Sequence, residues 1–306
     1  MSDNFYHLQC FLCHQRTNEA KNTTLCRSCQ GPLDVVYDYN RLRQVINYYV
    51  IRNTPPKVIK YLDFYPFNNR HDLFSLGEGA TNLHKADNLA KKLKLERLFI
   101  KNEGLNPTGA FKDRGSFVEI NKARQLGFKT VAVASTGNMA ASVAAYSAQG
   151  GLSCFVFVPE NTPRGKLAQA ISYGAHVIQI RGTYSDAFEL TMKVAQRYNY
   201  YLAGDYVFRS EGQKSLSYEL CEQLSFAKID WILVPVGMGT NLASIWKGLR
   251  EYNLFGLITA LPRLVAVQAD GASPIVNAYN NNYRFQPVNK PQTVCSAIAV
   301  GNPIDA

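Results

Sequence analysis

Asn106-Pro107-Thr108-Gly109-Ala110-Phe111-Lys112-Asp113-Arg114-Gly115 reads as a turn running into a helix. Pro-Thr-Gly reverses the chain, and the residues from Gly115 through Gly127 continue in a helical pattern. Lys112 therefore belongs near a helix start, where the backbone potential is positive. An amine in such a place suits Schiff-base chemistry. The plain alternative is a solvated lysine at an ordinary helix start.

Two further segments bear on that choice. Ser135-Thr136-Gly137-Asn138-Met139 follows the apolar run Thr130-Val131-Ala132-Val133-Ala134 and precedes a small-residue helical pattern from Ala140 to Gln149. Gly237-Met238-Gly239-Thr240-Asn241 repeats the design after Trp231-Ile232-Leu233 and before a helical stretch from Leu242 to Tyr252. Glycines between a strand and a helix let backbone N–H groups converge on an anion. Either loop alone reads more readily as an ordinary strand-to-helix turn. Joined to the lysine they suit pyridoxal phosphate (PLP), a cofactor held through a lysine and a phosphate.

The order Asn-Pro-Thr-Gly-Ala-Phe-Lys-Asp-Arg, Ser-Thr-Gly-Asn, Arg209-Ser210-Glu211-Gly212-Gln213-Lys214, Gly-Met-Gly-Thr-Asn resembles the fold-type II PLP enzymes, and within them the threonine synthase family. The resemblance runs from about Gly77 to Ser296-Ala297-Ile298-Ala299-Val300-Gly301-Asn302-Pro303. It implies an α/β, two-lobed, tryptophan synthase beta-like architecture with open parallel sheets. A smaller lobe (117–203) is then inserted in a larger PLP-binding lobe (37–116 and 204–306). It further implies a carbon–oxygen lyase that makes L-threonine and phosphate from O-phospho-L-homoserine and water, working as a homodimer on a small amino-acid substrate.

By the same resemblance Lys112 holds the cofactor and moves the substrate's α and β protons. Asn138 bonds the ring hydroxyl, and Ser135, Thr136 and the Met139 amide clamp the substrate carboxylate. Gly237, Met238, Gly239, Thr240 and Asn241 cradle the cofactor phosphate. Phe111 and Asp113 position the lysine turn or simply pack. Arg209 is the candidate anchor for the substrate phosphate, because a guanidinium fork matches phosphate oxygens; the alternative is a salt bridge to Glu211 or Glu219. Lys166 matches a family position, or is solvated after the Pro163-Arg164-Gly165 turn.

Four of the seven cysteines fall as Cys10-x2-Cys13 and Cys26-x2-Cys29, a spacing that closes a tetrahedral thiolate site around a structural zinc. Two disulfides are the alternative, and His7 and His14 are near enough to compete as ligands. Cys29 to Asp38 resembles the end of a zinc-ribbon-like knuckle found in some threonine synthases, so residues 1–36 are expected to form one. Its few apolar residues imply a local fold that depends on the metal. Cys154, Cys221 and Cys295 sit in apolar surroundings and read as packing residues.

The remaining organisation agrees with an α/β enzyme. A single helix is expected over residues 40–52, and strand-like runs at 98–101, 130–134, 153–159, 176–181, 231–236 and 264–268 alternate with helical ones, implying parallel sheets with helices on both faces. The 306 residues are 46% apolar, enough for two cores. No apolar stretch reaches the length of a membrane span, and Met1 to Phe5 lacks the regions of a secretory signal, so a cytoplasmic location is the default. The formal charge of +10 comes from 33 Lys and Arg against 23 Asp and Glu. These are spread without basic runs, which argues against a dedicated nucleic-acid surface.

Departures from the family pattern bear on the substrate. Ala203-Gly204-Asp205-Tyr206-Val207 stands where the family has Asn-Ser-x-Asn-Pro, Asn82 replaces a usual Pro, and Ala110 a usual Ser. The family also continues past its Gly-Asn-Pro segment to a Ser or Thr facing the pyridine nitrogen, so the chain is expected to be a fragment or a shortened relative. A serine or threonine dehydratase, another β-replacement enzyme, and a zinc-ribbon protein on a degenerate enzyme scaffold remain as alternatives.

Overall fold

Alternation of apolar and polar side chains starts the fold. In β1 (Tyr6–Cys10) and β3 (Leu33–Tyr37) every second residue is buried, and with the short β2 (Arg16–Thr17) they form an antiparallel sheet in the order β2-β1-β3. The computed structural model describes residues 5–17 and 24–303. Tyr6, Leu8, Val35 and Tyr37 join the same apolar core as Phe64, Phe117 and Tyr218. The strands that follow and precede the cysteine pairs are therefore packed into the body of the molecule.

The helix expected over residues 40–52 is two helices, α1 (Tyr39–Val45) and α2 (Tyr48–Asn53). Asn47 ends the first by capping the second: its side chain accepts from the Val50 amide at 3.0 Å, and a side-chain acceptor at that position stabilises a new helix start. The chain then enters β4 (Leu83–Lys85), α3 (Asp87–Leu93) and β5 (Phe99–Lys101). β4 and β5 pair antiparallel, so the run at 98–101 departs from the all-parallel pattern expected of it.

α4 (Lys112–Gln125) passes through the middle of the molecule, buried on every side from Asp113 to Ala123. It is not apolar. Arg114, Glu119 and Lys122 are each within 1% of full burial, which requires each to be paired. Arg114 reaches Glu103 at 2.6 Å and Glu219 at 2.8 Å, and Lys122 Nζ donates to the Tyr6 hydroxyl and the Pro66 carbonyl.

The sequence then alternates β6 (Thr130–Ala134), α5 (Asn138–Gln149), β7 (Ser153–Pro159), α6 (Arg164–Ser172), β8 (His176–Ile180), α7 (Tyr184–Tyr198) and β9 (Tyr201–Ala203). Their four strands form one parallel sheet in the order β8-β7-β6-β9. α8 (Val207–Gln213) and α9 (Ser215–Gln223) follow, then β10 (Trp231–Pro235), α10 (Thr240–Leu254), β11 (Arg263–Val267) and α11 (Pro274–Asn280), with β10 and β11 parallel.

α8 crosses α4 at two glycines. A Cβ on Gly212 would lie 1.9 Å from the Arg114 carbonyl oxygen, and one on Gly115 2.6 Å from Arg209 Cγ. Only hydrogen at those positions allows the approach that brings α8 against the turn carrying Lys112.

Candidate active site

The strand-to-helix loops converge on one cleft. Lys112, Ser135, Thr136, Gly137, Asn138 and Met139 line it together with Gly237 to Asn241 and residues 296–302. Parallel strands carry ligand sites at their carboxyl ends, which is where both loops fall. The cleft holds about 2410 Å³.

Lys112 opens α4, and its turn is fixed by Asp113. That carboxylate accepts from the Thr108 amide at 2.7 Å, the Thr108 hydroxyl at 2.6 Å and the Ser142 hydroxyl at 2.6 Å. Burial holds Asp113 above the usual carboxylate range, in spite of these donors and the charge of Arg209. Phe111 lies under the lysine, with Nζ 5.1 Å from its ring centre. Both neighbours thus touch the turn as well as pack around it. Lys112 Nζ itself faces Asp205, at 3.1 Å and 3.4 Å from its two carboxylate oxygens.

The Ser135 loop is tied internally, since Ser135 Oγ accepts from the amides of Gly137 at 3.4 Å and Ala140 at 3.3 Å. Across the cleft, Gly239 adopts φ +95° just before α10, a left-handed conformation that costs a glycine little. A Cβ on it would meet Ile275, and one on Gly237 would meet Val300. The first N–H groups of α10 have no intrahelical acceptor, and the Asn241 side-chain oxygen is buried without a partner. A glycine cradle and a helix start suit a phosphate, and with Lys112 lining the same cleft the residues present fit PLP.

Two sequence candidates land differently. Lys166 lines the cleft at the start of α6 and is exposed. Arg209 does not line the cleft. It is fully buried, and its guanidinium donates to Glu119, to the Gly204 carbonyl at 3.0 Å, the Lys112 carbonyl at 3.2 Å and Ser116 Oγ at 3.2 Å. The expected phosphate anchor is instead a clamp behind the lysine, and its ion-pair partner is neither Glu211 nor Glu219. Those two carboxylates are occupied: Glu211 pairs with Lys214 and Lys247, and Glu219 with Arg114 and Lys101. Burial would raise Glu219, but Arg114 and Lys101 outweigh it and hold it at about 2.

Asp205 and Tyr184 also line the cleft and were not singled out by sequence reasoning as site residues. Tyr184 donates to the Ala134 carbonyl at 3.0 Å. A signal for Asp205 existed, because it sits inside the segment that departs from the family pattern.

At the other end of the molecule the Sγ atoms of Cys10, Cys13, Cys26 and Cys29 all lie within 4.8 Å of one another. Cys10 and Cys29 approach to 3.4 Å and Cys13 and Cys26 to 3.6 Å, and none is in a disulfide. A tetrahedral zinc with bonds of about 2.3 Å sets its sulfurs about 3.8 Å apart. The Cys13 amide lowers the Cys10 thiol to about 6, while at Cys29 the Gly31 amide lowers the thiol but the Cys10 and Cys13 side chains push it up to about 12. The donor set fits zinc, and neither histidine belongs to it.

Residues 74–306 match the family model described as pyridoxal-phosphate dependent enzyme. A threonine synthase of Methanocaldococcus jannaschii is 42% identical over 281 residues, 91% of this chain and 69% of that one. The chain belongs to the pyridoxal-phosphate dependent enzymes, in the threonine synthase family. A second relative, the threonine synthase of Methanosarcina acetivorans, is 39% identical over 98% of this chain and 74% of its own. Among solved structures, holo diaminopropionate ammonia lyase from Escherichia coli superposes with a TM-score of 0.66 at 20% identity, covering 80% of this chain and 67% of that one. That likeness supports the fold-type II architecture.

Proposed function

We propose that this chain is a threonine synthase, a PLP-dependent carbon–oxygen lyase acting on O-phospho-L-homoserine. The observation that carries the reading is the meeting of Lys112, the Ser135 loop and the Gly237 loop in one cleft, in a chain whose relatives at about 40% identity bear that name. When bound, PLP supplies an electron sink that makes the substrate's α and β protons removable.

The chain's own residues do the rest. The Gly237 to Asn241 cradle would hold the cofactor phosphate, and Asn138, at the start of α5, would bond its ring hydroxyl. Ser135, Thr136 and the Met139 amide orient the substrate carboxylate. The Lys112 amine, kept in place by Asp113, would take the α proton and then the β proton; phosphate would leave from the γ carbon, which is then protonated to the methyl, water would add its hydroxyl at the β carbon with its remaining proton going to the released phosphate, and a proton would return to the α carbon. With Arg209 out of the cleft, Lys166 is the cationic candidate for the leaving phosphate. The cofactor lies between an inserted lobe (117–203) and a larger lobe (37–116 and 204–306). By resemblance the enzyme is a cytoplasmic homodimer. Among the described residues no helix is long and apolar enough to cross a membrane.

The test is to incubate the chain with PLP and offer phosphohomoserine, phosphoserine, serine and threonine in parallel. Threonine and phosphate from phosphohomoserine support the reading. A 2-oxo acid from serine or threonine, with phosphohomoserine untouched, would instead establish the dehydratase alternative, which the placement of Arg209 and the small side chains at Ala203 and Gly204 favour.

Zinc in the four-cysteine cluster, here termed the knuckle (1–36), belongs to the same proposal. Protein purified under reducing conditions without chelators is expected to carry one zinc per chain by elemental analysis, and its absence would count against the site. Cys10→Ser should lose the metal. Because β1 and β3 are anchored in the main core, the variant should keep its far-UV circular dichroism and its PLP spectrum.

A further inference from the structure

Each Cys-x2-Cys pair sits in a turn closed by backbone bonds. His14 N donates to the Cys10 carbonyl at 3.1 Å in the first turn, and Gln30 N to the Cys26 carbonyl at 2.9 Å in the second. The amides of Phe11 and Cys26 donate to the Pro32 and Gly31 carbonyls, both at 2.9 Å, and Cys10 pairs with Leu33 where β1 meets β3. These bonds join backbone to backbone and spend none of the sulfurs. The short sulfur contacts run between the two turns, Cys10 to Cys29 and Cys13 to Cys26. Each joins a buried cysteine, Cys10 or Cys26, to an exposed one.

The other three cysteines lack this combination. Cys154 and Cys221 are buried, and burial pushes both thiols up to about 12, far from the thiolate that reacts. Cys295 is exposed but stands outside the cluster. We propose that the knuckle is a peroxide-reactive site as well as a metal site: Cys13 and Cys29 are oxidised first, Cys26 and Cys10 resolve them, and the zinc is released. The exposed thiolate takes one oxygen of hydrogen peroxide to become a sulfenic acid, and the other oxygen leaves as hydroxide. Its buried partner then attacks that sulfur, closes the disulfide and expels the second hydroxide. Two thiolates give two electrons to each peroxide, so the four cysteines consume two peroxides, and the metal, left without thiolate ligands, departs as Zn²⁺. The metal half of the proposal rests on the zinc reading above.

The test titrates the full, zinc-loaded chain with hydrogen peroxide beside a colorimetric zinc chelator. One zinc per chain should be released by about two peroxides per chain, and a dithiol reductant with added zinc should restore the metal. Trypsin cuts between Cys26 and Cys29 at Arg27, and chymotrypsin between Cys10 and Cys13 at Phe11, so mass spectrometry of the unreduced digest reads the connectivity. It should show Cys10 joined to Cys29 and Cys13 to Cys26, with Cys154 and Cys221 unmodified. In Cys29→Ser the Cys13 to Cys26 bond should be the one disulfide formed.

Disulfides closed within the pairs, Cys10 to Cys13 or Cys26 to Cys29, would overturn the inference, as would Cys10 joined to any sulfur in Cys29→Ser. Crossed disulfides in a chain that never carried zinc would remove the metal reading and leave the thiol chemistry standing. Zinc present and retained through excess peroxide would do the reverse.

Discussion

Lys112→Ala is expected to abolish the visible absorption band of PLP bound through the lysine and to lower kcat by at least about 100- to 10,000-fold, the range supplied by a positioned acid–base group. The prediction is specific because two competing lysines, Lys101 and Lys122, are held by other partners. Lys101 also borders the cleft, and burial lowers its pKa despite the nearby Glu219, so it is a credible nucleophile. Its Nζ, however, is held by Glu219 at 2.9 Å, Gln223 at 2.8 Å and the Thr81 carbonyl at 2.7 Å. Lys122 is buried under Tyr6 and Pro66. Among the described residues Lys112 Nζ meets a carboxylate and a ring face alone, and so is free to turn into the cleft. Borohydride reduction of the PLP-loaded wild type followed by peptide mapping should put the label on Lys112. A label on Lys101 or Lys122 would refute the assignment.

What the sequence made readable follows from how local each signal is. β6 and β7 are nearly continuous apolar runs bounded by turn residues, and such runs announce buried parallel strands without reference to distant residues. The lysine turn and the two glycine loops are likewise local, and the fold brings all three together. The four cysteines needed only their spacing.

Other features depend on partners far along the chain. Hydropathy makes Arg114, Glu119 and Lys122 look like the wet face of a surface helix, yet α4 is enclosed. Their charges are met by Glu103, Glu219, Arg209 and Tyr6, separated from them by 11 to 116 positions. The knuckle presents the same difficulty. Asp34 and Tyr37 on β3 reach Lys247 and Glu211 at 2.6 Å and 2.5 Å, so a segment that reads as a separate metal-dependent unit is bonded to α8 and α10. The split between α1 and α2 turned on Asn47, which is compatible with a helix interior until its side chain is seen to cap.

Arg209 shows most clearly how residue chemistry can point to the right neighbourhood and the wrong role. A guanidinium in the Arg-Ser-Glu-Gly-Gln run suits a phosphate, but here it is spent on Glu119 and two carbonyls. The expected result for Arg209→Ala is therefore a loss of stability and not a selective loss of phosphohomoserine use. Removing one partner of a buried pair leaves Glu119 charged and alone, which destabilises by about 3–5 kcal/mol. In a chain of this size that lowers Tm by on the order of 10 °C. Burial already holds Glu119 above the usual carboxylate range with Arg209 present, so the variant should relieve part of the penalty by protonation and be less unstable at lower pH. Arg209→Met combined with Glu119→Gln removes both charges and should recover much of the lost Tm, since a buried ion pair is seldom worth more than well-packed neutral groups. Thermal unfolding of the two variants beside the wild type measures this directly. If Arg209→Ala instead melts with the wild type while kcat/KM falls only for the phosphorylated substrate, the guanidinium reaches the cleft during catalysis and the clamp described here is not its working state.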